Sequence, residues 1–272
     1  MRLSGIFIYP VKSLRGIALQ SAMVDELGLR GDRRFLVVDS EMRFLTQRTV
    51  PRMARIATAL NETHLMLAAD GGGHIQIPLR QERRVTCEVS IWGSTGLKAE
   101  DCGDEPAAWL SQAIGQACRL VQVGAAFTRP LRKEGIARTG DFIAFADAFP
   151  FLIASSASLA ELNRRIVSRG GTAVPMERFR PNLVLDGCEA FDEDRWSRFR
   201  IGEITFQAGG PSVRCVMTTT DQLTGERGKE PLSTLATFRR NPKDPTQVLF
   251  AQNLIHETKG GVLRVGDELT LL

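Results

Sequence analysis

The sequence has few of the residues that build metal clusters or hydrolytic sites. Its 272 residues contain five cysteines, with no C-x-x-C pair, and three histidines. A zinc site or an iron–sulfur cluster held by cysteines therefore does not fit the pattern. A cysteine hydrolase needs a base near its thiol, and no spacing links His64, His74 or His256 to a cysteine. We expect all three histidines to be solvated.

Long apolar runs are also lacking. The longest, from Phe142 to Ala154, is interrupted by Asp147 and Pro150, and it falls short of the roughly 20 residues that a membrane helix needs. The apolar N-terminus is too short for a secretory core, and no small-residue cleavage pattern follows it. An odd number of cysteines without a secretion signal predicts free thiols in a reducing compartment. We expect a cytoplasmic protein with no membrane segment.

The composition is that of an ordinary globular chain. Hydrophobic residues make up 43% and charged residues 24%, which is enough apolar surface for a core. The length allows one large domain or two modest ones. The net charge of +4 slightly favours small anionic ligands and does not indicate nucleic acid. We expect no nucleic-acid partner.

Short strands dominate the first third of the chain. Runs rich in β-branched or aromatic residues occur over 5–9, 35–38, 64–68, 74–78 and 85–91. The glycines of the segment 70–73 predict a hairpin turn, because glycine tolerates positive φ. Strands at this spacing indicate a barrel or a sandwich.

The second half mixes helices and strands. Apolar periodicity predicts helices from about 105, over 158–167 and from Pro231. Ser158 and Glu161 form an S-x-x-E capping box for the second helix. Strands are predicted over 182–185, 199–207, 214–220 and 262–271. A domain boundary is expected near residues 120–130, after the first helix ends.

Cys215 lies between an arginine and a threonine-rich run that is predicted to be a strand. A single cysteine in a strand is most often a small buried hydrophobic residue. The functional alternative is a thiolate that holds a soft metal. Arg214 need not contact the sulfur, because neighbouring side chains in a strand point to opposite faces. The residues alone leave both interpretations open.

Three other segments carry groups that bind anions. Lys12 and Ser13 lie in a turn after the first strand, where a lysine, a hydroxyl and backbone N–H groups can hold a phosphate. In the run Arg180-Pro181-Asn182 the proline holds the arginine backbone extended at a strand mouth. In the third segment, Asp32-Arg33-Arg34-Phe35, either Arg33 or Arg34 can face inward as an anion ligand. On sequence alone, solvated surface charge is the more common explanation of such segments.

These segments, taken in order, resemble one protein family. The blocks are Y-P-V-K-S at 9–13, L-G-L-x-G-D-R-R-F at 27–35, R-F-R-P-N-L-V-L at 178–185, R-C-V-M-T-T-x-D at 214–221 and G-V-L-R-V-G-D-E-L at 261–269. In combination they resemble the MOSC-domain family with its N-terminal β-barrel partner, in the branch of the amidoxime-reducing components. The resemblance covers essentially the whole chain. It implies an α+β, β-barrel-rich fold with a few peripheral helices, divided into an N-terminal barrel domain at 1–122 and a MOSC domain at 123–272.

The resemblance also implies a cofactor and a set of site residues. The cofactor is the molybdenum cofactor, a molybdopterin with a dithiolene and a terminal phosphate, and its protein thiolate ligand corresponds to Cys215. By motif matching, the cofactor-binding positions are Lys12, Ser13, Arg34, Arg180, Asn182 and Arg214. Asp147 falls in a loop on the substrate face and is expected to act with Cys215 in catalysis. A thiolate is the ligand class expected for a soft metal, and arginine suits phosphate.

The activity that the resemblance implies is reduction of N-hydroxylated compounds such as amidoximes and hydroxylamines. Electrons would come from a separate ferredoxin or flavoprotein, because the sequence has no cluster or flavin motif of its own. The alternative is a sulfur- or cofactor-transfer protein, or a carrier, in which Cys215 holds a persulfide or a ligand. Relatives often carry serine where Val213 stands, and small polar residues in place of Ala148 and Phe149. The membrane anchor and the appended ferredoxin domain of some relatives are not expected here.

Overall fold

Strands make up most of the fold. The computed structural model describes residues 1–71, 73–80 and 85–272. The strands of the first half are Arg2–Ile8 (β1), Ile17–Leu19 (β2), Ser21–Asp25 (β3), Gly28–Leu29 (β4), Phe35–Val38 (β5), Ala57–Leu60 (β6), His64–Ala69 (β7), Gly73–Pro78 (β8), Thr86–Ile91 (β9), Ser94–Asp101 (β10) and Arg119–Val123 (β11). Those of the second half are Phe151–Ser155 (β12), Leu183–Asp186 (β13), Arg198–Ile201 (β14), Ile204–Arg214 (β15), Arg240–Asn241 (β16), Asp244–His256 (β17), Val262–Arg264 (β18) and Leu269–Leu271 (β19). The α-helices are Asp104–Ile114 (α1), Ser156–Ser168 (α2) and Leu232–Phe238 (α3).

The largest sheet joins the two ends of the chain. Its order is β19-β14-β15-β17-β12-β13-β1-β2, with β16 added to β17. The pair β12–β13 is parallel, whereas β1 pairs antiparallel with β13. The first two strands of the chain thus lie in a sheet that is otherwise built from residues after 150. The core under this sheet contains apolar side chains from both ends of the chain, such as Ile6, Phe151 and Leu269.

The N-terminal half builds two further sheets, ordered β5-β11-β10-β9 and β6-β7-β8. Helix α1 packs against this region through Leu110 and Ile114, which are fully buried beside Leu65 and Leu120. The predicted hairpin turn is present between β7 and β8, although its Gly72 lies outside the described residues. A third small sheet, β18-β3-β4, again joins the end of the chain to its beginning.

The sheet-rich architecture with few helices confirms the predicted α+β fold class. Within the described ranges, no helix combines the length and the apolar character that crossing a lipid bilayer would require.

Three strand predictions were wrong. The segment 199–207 forms two strands, β14 and β15, separated by a turn at Gly202, which has a φ of 54°. The segment 214–220 does not continue as a strand: β15 ends at Arg214, and Val216–Thr219 forms a short 3₁₀ turn. The Thr218 hydroxyl donates to the Cys215 carbonyl, and the Thr219 hydroxyl donates to the Val216 carbonyl. Such local side-chain bonds to the backbone favour a turn over a strand. The segment 262–271 is divided into β18 and β19 by a turn at Gly266, which has a φ of 100°.

The capping box predicted for α2 was also wrong. Ser155 is the N-cap, and its hydroxyl accepts a hydrogen bond from the Ser158 backbone N–H at 3.0 Å. Glu161 instead pairs with Arg164 and Arg165 on the surface of the helix. The N-cap is supported by Glu193, which reaches the two serine hydroxyls from another part of the chain.

His256 is not solvated, contrary to the prediction. It ends β17, is fully buried, and hydrogen-bonds through Nε2 to the Asp25 carbonyl oxygen at 2.8 Å. Burial lowers the pKa of its imidazole to about 4. The polar residues that follow it in sequence suggested a loop, but β17 extends further than its apolar residues alone indicate.

Candidate functional site

A basic cleft of about 450 Å³ opens between the large sheet and the N-terminal half. Some of the lining residues were predicted as site residues from the sequence, and others were not. The predicted ones are Lys12, Ser13, Asp147, Arg180, Asn182, Arg214 and Cys215. These residues span some 200 positions of the chain, yet they meet because β1, β12, β13 and β15 are in one sheet. Among the predicted site residues, Arg34 alone does not line the cleft.

Cys215 is presented to the cleft at the point where β15 ends. The strand shifts register against β17 between Ala208 and Pro211 and again between Pro211 and Val213. Bulges of this kind redirect the side chains that follow them. Cys215 then adopts an extended conformation and precedes the 3₁₀ turn. Its partly exposed sulfur accepts a hydrogen bond from Arg48 Nε at 3.3 Å. The thiol is therefore not a buried core residue.

Asp147 is surrounded by donors. Its Oδ2 accepts from Arg48 at 2.7 Å, and its Oδ1 accepts from Trp92 Nε1 at 3.0 Å and from the Lys12 ammonium. The positive charges of Lys12 and Arg48 outweigh the effect of burial and hold the pKa of this carboxyl well below its usual range. About 37% of the side chain stays exposed. Asp147 is thus an ionised group at the cleft with part of its surface open to a ligand.

The loop that carries Asp147 is held by a second arginine. Arg129 is buried, and its Nη1 donates to the carbonyls of Ala144 at 2.9 Å and Ala146 at 2.7 Å. Its Nε also donates to the Ser94 hydroxyl at 3.3 Å. The main chain of this loop is therefore fixed from inside the protein.

Lys12 is a buried cation with two partners. Its ammonium donates to the Phe145 carbonyl at 2.8 Å and pairs with Asp147. Burial lowers the pKa of Lys12 to about 8, although the carboxylate opposes the shift. Its neighbour Ser13 is buried with a φ of 68°, so the turn predicted for this segment is present and is tightly bent.

Two guanidinium groups enclose Tyr9. Arg180 lies 4.1 Å and Arg33 lies 4.4 Å from the centre of its ring. Both arginines have left-handed backbones, with φ of 55° and 47°, a conformation that costs roughly 1–3 kcal/mol per non-glycine residue. Burial lowers the pKa of Arg180 to about 10. The extended backbone predicted for Arg180 was therefore wrong, although the residue does reach the cleft.

Asn182 orients one of these arginines. Its Oδ1 accepts from Arg33 Nη1 at 3.0 Å and from the Leu152 backbone N–H at 3.2 Å, and its Nδ2 donates to the Phe7 carbonyl at 3.2 Å. The amide thus links β1 and β12 and directs Arg33 toward the cleft.

The structure places Arg33, not Arg34, at the cleft. The Arg34 guanidinium pairs with Asp25 at 2.6 Å and donates to the Leu29 carbonyl at 3.3 Å, in a separate groove. The left-handed conformation of Arg33 breaks the regular alternation that precedes β5. Strand periodicity could not have decided between these two neighbours.

The cleft holds several hydrogen-bond donors that the protein itself does not use. Arg214 donates to Ser212 Oγ at 3.0 Å and to the Phe179 carbonyl at 2.8 Å, and burial lowers its pKa to about 10. Among the described lining residues, three buried guanidinium atoms have no hydrogen-bond partner: Arg48 Nη1, Arg180 Nη2 and Arg214 Nε. Buried donors are rarely left without partners. The arrangement suits a ligand that combines anionic oxygens with a soft centre for the thiol.

Two residues at or beside the cleft, Arg48 and Trp92, were missed by the sequence analysis. Arg48 lines the cleft but lies in a polar loop with no periodicity. Trp92 does not line the cleft itself but contacts Arg48 and Asp147 from the tip of the β9–β10 hairpin, where an exposed aromatic residue carries no special signal. Pro51 indicates a turn in this loop, but nothing in the sequence predicts that the Arg48 side chain contacts Cys215.

The chain matches two protein-family descriptions. Residues 1–117 match the MOSC N-terminal beta barrel domain, and residues 141–270 match the MOSC domain. The cleft combines residues from both matched regions.

Relatives of known name cover almost the whole chain. Mitochondrial amidoxime-reducing component 1 of Homo sapiens is 34% identical over 98% of this chain and 82% of that protein. Mitochondrial amidoxime reducing component 2 of Rattus norvegicus is 35% identical over 97% of this chain and 81% of that protein. Among solved structures, the YUAD protein from Bacillus subtilis is 12% identical and superposes over 98% of this chain and 93% of its own, with a TM-score of 0.41.

Proposed function

Because this chain belongs to the MOSC-domain family, together with the mitochondrial amidoxime-reducing components, we propose that it is a molybdenum-cofactor-dependent reductase of N-hydroxylated compounds. Amidoximes and hydroxylamines are the expected substrates, and a separate redox protein supplies the electrons. The observation that carries the proposal is the Cys215 sulfur at a cleft whose guanidinium groups keep unused donors.

The residues of the cleft fit the cofactor in charge and in ligand type. Cys215 would provide the thiolate ligand to molybdenum, a soft-metal role that suits sulfur. Arg180, Arg214 and Arg33 would bind the anionic phosphate, for which planar guanidinium groups are well suited. When bound, the cofactor would supply the two-electron redox chemistry for reduction of the N–O bond.

The protein positions the substrate and supplies charge. The overall change converts R–NH–OH, two electrons and two protons into R–NH₂ and water. Asp147 stays ionised beside Lys12 and Arg48, so its exposed edge can accept a hydrogen bond from the N–OH group. With a pKa of about 8, Lys12 keeps its proton at neutral pH and holds it on Nζ, next to this carboxylate.

The test is to express the chain in a host that makes the cofactor. Bound molybdenum and the reduction of benzamidoxime with an artificial electron donor are then measured. We expect both in the wild-type protein, and loss of reduction to background in Cys215→Ser, since oxygen replaces the sulfur ligand. Cys188→Ser is the matched control, because Cys188 is also partly exposed but packs against the core under the large sheet and does not line the cleft. A loaded protein that does not reduce benzamidoxime or another N-hydroxylated compound would reject the proposal.

The same preparation tests the alternative of sulfur transfer. Intact-protein mass spectrometry that found an added sulfur atom on Cys215, without pterin, would favour a persulfide carrier over a reductase.

A further inference from the structure

The backbone around Arg48 is held by the nearby Thr46 and by residues from distant parts of the chain. The Thr46 hydroxyl accepts from the Arg48 N–H at 3.1 Å, which turns the loop. Arg227 donates to the carbonyl oxygens of Gln47 and Arg48. Gln47 is fully buried, and its amide donates to the Ser13 carbonyl at 2.8 Å. The loop therefore cannot move independently of the cleft.

The side chain of Arg48 contacts both reactive groups of the cleft. Nε donates to Cys215 Sγ at 3.3 Å, and Nη2 donates to Asp147 Oδ2 at 2.7 Å. Nε and Nη2 lie on one edge of a planar, rigid group, so the fork sets the position of the sulfur relative to the carboxylate. A lysine ammonium, a single point charge on a flexible stem, cannot impose this geometry.

Trp92 holds the other side of the guanidinium. Its ring centre lies 4.8 Å from Arg48 Cζ, while its indole N–H donates to Asp147 Oδ1 at 3.0 Å. The residue packs against Phe44 and is about half exposed, at 49%. Its φ is 52°, a left-handed conformation that costs on the order of 1 kcal/mol or more. One side chain thus contacts Arg48 by its face and Asp147 by its edge.

From these contacts we propose that Arg48, backed by Trp92, is a positioning residue that fixes the Cys215 sulfur relative to the Asp147 carboxylate. The inference rests on the proposed function in taking Cys215 and Asp147 as the metal ligand and the substrate-side group. It adds that the N-terminal domain, which carries Arg48 and Trp92, sets the geometry of a pair held by the C-terminal half.

The principal variants are Arg48→Gln and Arg48→Lys, with Arg43→Gln as the matched control. Arg43 lies in the same segment but is exposed and pairs with Asp39 and Glu41. We expect Arg48→Gln to keep its molybdenum content within about twofold and to lose kcat by about 100-fold with little change in KM, since misplacing a reacting group costs this much. Arg48→Lys should lose about tenfold, because it keeps the charge but loses one of two charge-assisted bonds.

Trp92 provides a graded test of the same idea. Trp92→Phe keeps the ring over Arg48 and loses the N–H, whereas Trp92→Leu loses both contacts. We expect kcat to fall by about threefold in the first variant and by about tenfold in the second, in line with a hydrogen bond and an added cation–π contact. Equal losses in the two variants would contradict the role assigned to the ring.

Two readouts do not depend on turnover. The electron paramagnetic resonance spectrum of partly reduced, loaded protein should differ from wild type in both Arg48 variants and match it in Arg43→Gln. In cofactor-free protein, the rate of Cys215 alkylation by iodoacetamide at fixed pH should change by about threefold or more in Arg48→Gln, because the sulfur loses its hydrogen-bond donor.

These readouts separate the two proposals. If the wild-type protein reduces no N-hydroxylated compound, or binds no molybdenum, the proposed function fails. The alkylation rate of Cys215 in cofactor-free protein still tests whether Arg48 positions the sulfur. An unchanged alkylation rate, together with a wild-type melting temperature, would overturn the positioning role. A large fall in melting temperature and molybdenum content, with an unchanged spectrum of the loaded fraction, would also overturn it, since Arg48 would then be merely structural.

Discussion

Individual residues around the cleft are held in unfavourable backbone conformations. Ser13, Arg33 and Arg180 all have positive φ, although none is a glycine. Each costs on the order of 1–3 kcal/mol and persists only where surrounding contacts fix it. For the two arginines, those contacts include the Tyr9 ring between them. The cations of the cleft are therefore positioned before any ligand binds.

The protonation of Lys12 predicts how activity depends on pH. Its pKa is lowered from 10.5 to about 8, so Lys12 is charged below about pH 8 and loses its proton above that pH. We expect reductase activity to fall as the pH rises through about 8, because Asp147 then loses a cationic partner. In Lys12→Arg the fall should move upward by about one pH unit or more, since a guanidinium stays charged.

The control for this prediction is Lys98→Arg, at an exposed lysine paired with Glu88. Its pH profile should overlie that of the wild type, and identical profiles for all three proteins would contradict the role of Lys12. The effect of pH on stability has the opposite sign. Between about pH 8 and 10.5 the unfolded chain binds more protons at this site than the folded chain, so the contribution of Lys12 to stability rises with pH.

Gly209 makes room for one wall of the cleft. A Cβ added to Gly209 would overlap the ring of Phe149, which lies over it and also contacts Lys133. We expect Gly209→Ala to displace this ring and to raise KM for amidoximes by about tenfold, since overpacking forces neighbours to move. Gly228→Ala is the matched control, because a Cβ there meets nothing within 4 Å. Equal kinetics for the two variants would show that the Phe149 wall does not shape the site.

At the scale of elements, the irregular end of β15 is what presents the thiol. Two register shifts precede Arg214, and a 3₁₀ turn follows Cys215. The motif around residue 215 predicted a site at Cys215, but a strand prediction cannot anticipate bulges, which depend on pairing with β17. The same limit explains Arg33, whose left-handed backbone is set by tertiary contacts with Asn182 and Tyr9.

The sequence predicted the strand-rich architecture and seven of the residues that line the cleft. Lys12 and Cys215 were identifiable because they lie in short motif blocks, and Asp147 because the family resemblance placed it in a loop on the substrate face. Arg48 and Trp92 were not, because their importance arises from contacts across 99 and 55 positions of sequence with Asp147. Contacts of this range leave no local periodicity. His256 was misjudged for the same reason, since its partner is the distant Asp25 carbonyl.

The N-terminus of α2 offers a test of the corrected capping assignment. Ser155 caps the helix and bonds to the buried Glu193, whereas Ser156 is exposed. We expect Ser155→Ala to lower the free energy of unfolding by about 1–2 kcal/mol, the usual cost of a lost N-cap. Ser156→Ala should change it by less than about 0.5 kcal/mol. Urea titration measures both, and equal values would contradict the assignment.

At the scale of the whole molecule, the two halves are interlocked. β1 and β2 lie in the sheet of the C-terminal half, and β18 pairs with β3. We therefore expect the cofactor-free protein to unfold in one cooperative transition, because neither half keeps its core when the other opens. Differential scanning calorimetry measures this. Two resolved transitions, or a van't Hoff enthalpy well below the calorimetric enthalpy, would contradict the expectation.

The pairing of β1 with β13 also bears on biosynthesis. Arg2 in β1 lies opposite Asp186 in β13, and the Leu3 backbone N–H donates to the Asp267 carbonyl. Until residues 183–186 have been synthesised, β1 has β2 beside it but lacks β13, and the thiol of Cys215 has not met the loop of Arg48. The binding cleft can form only after residues up to Asn253, which lines it, have left the exit tunnel, so we expect a prosthetic group to enter after these strands have been synthesised.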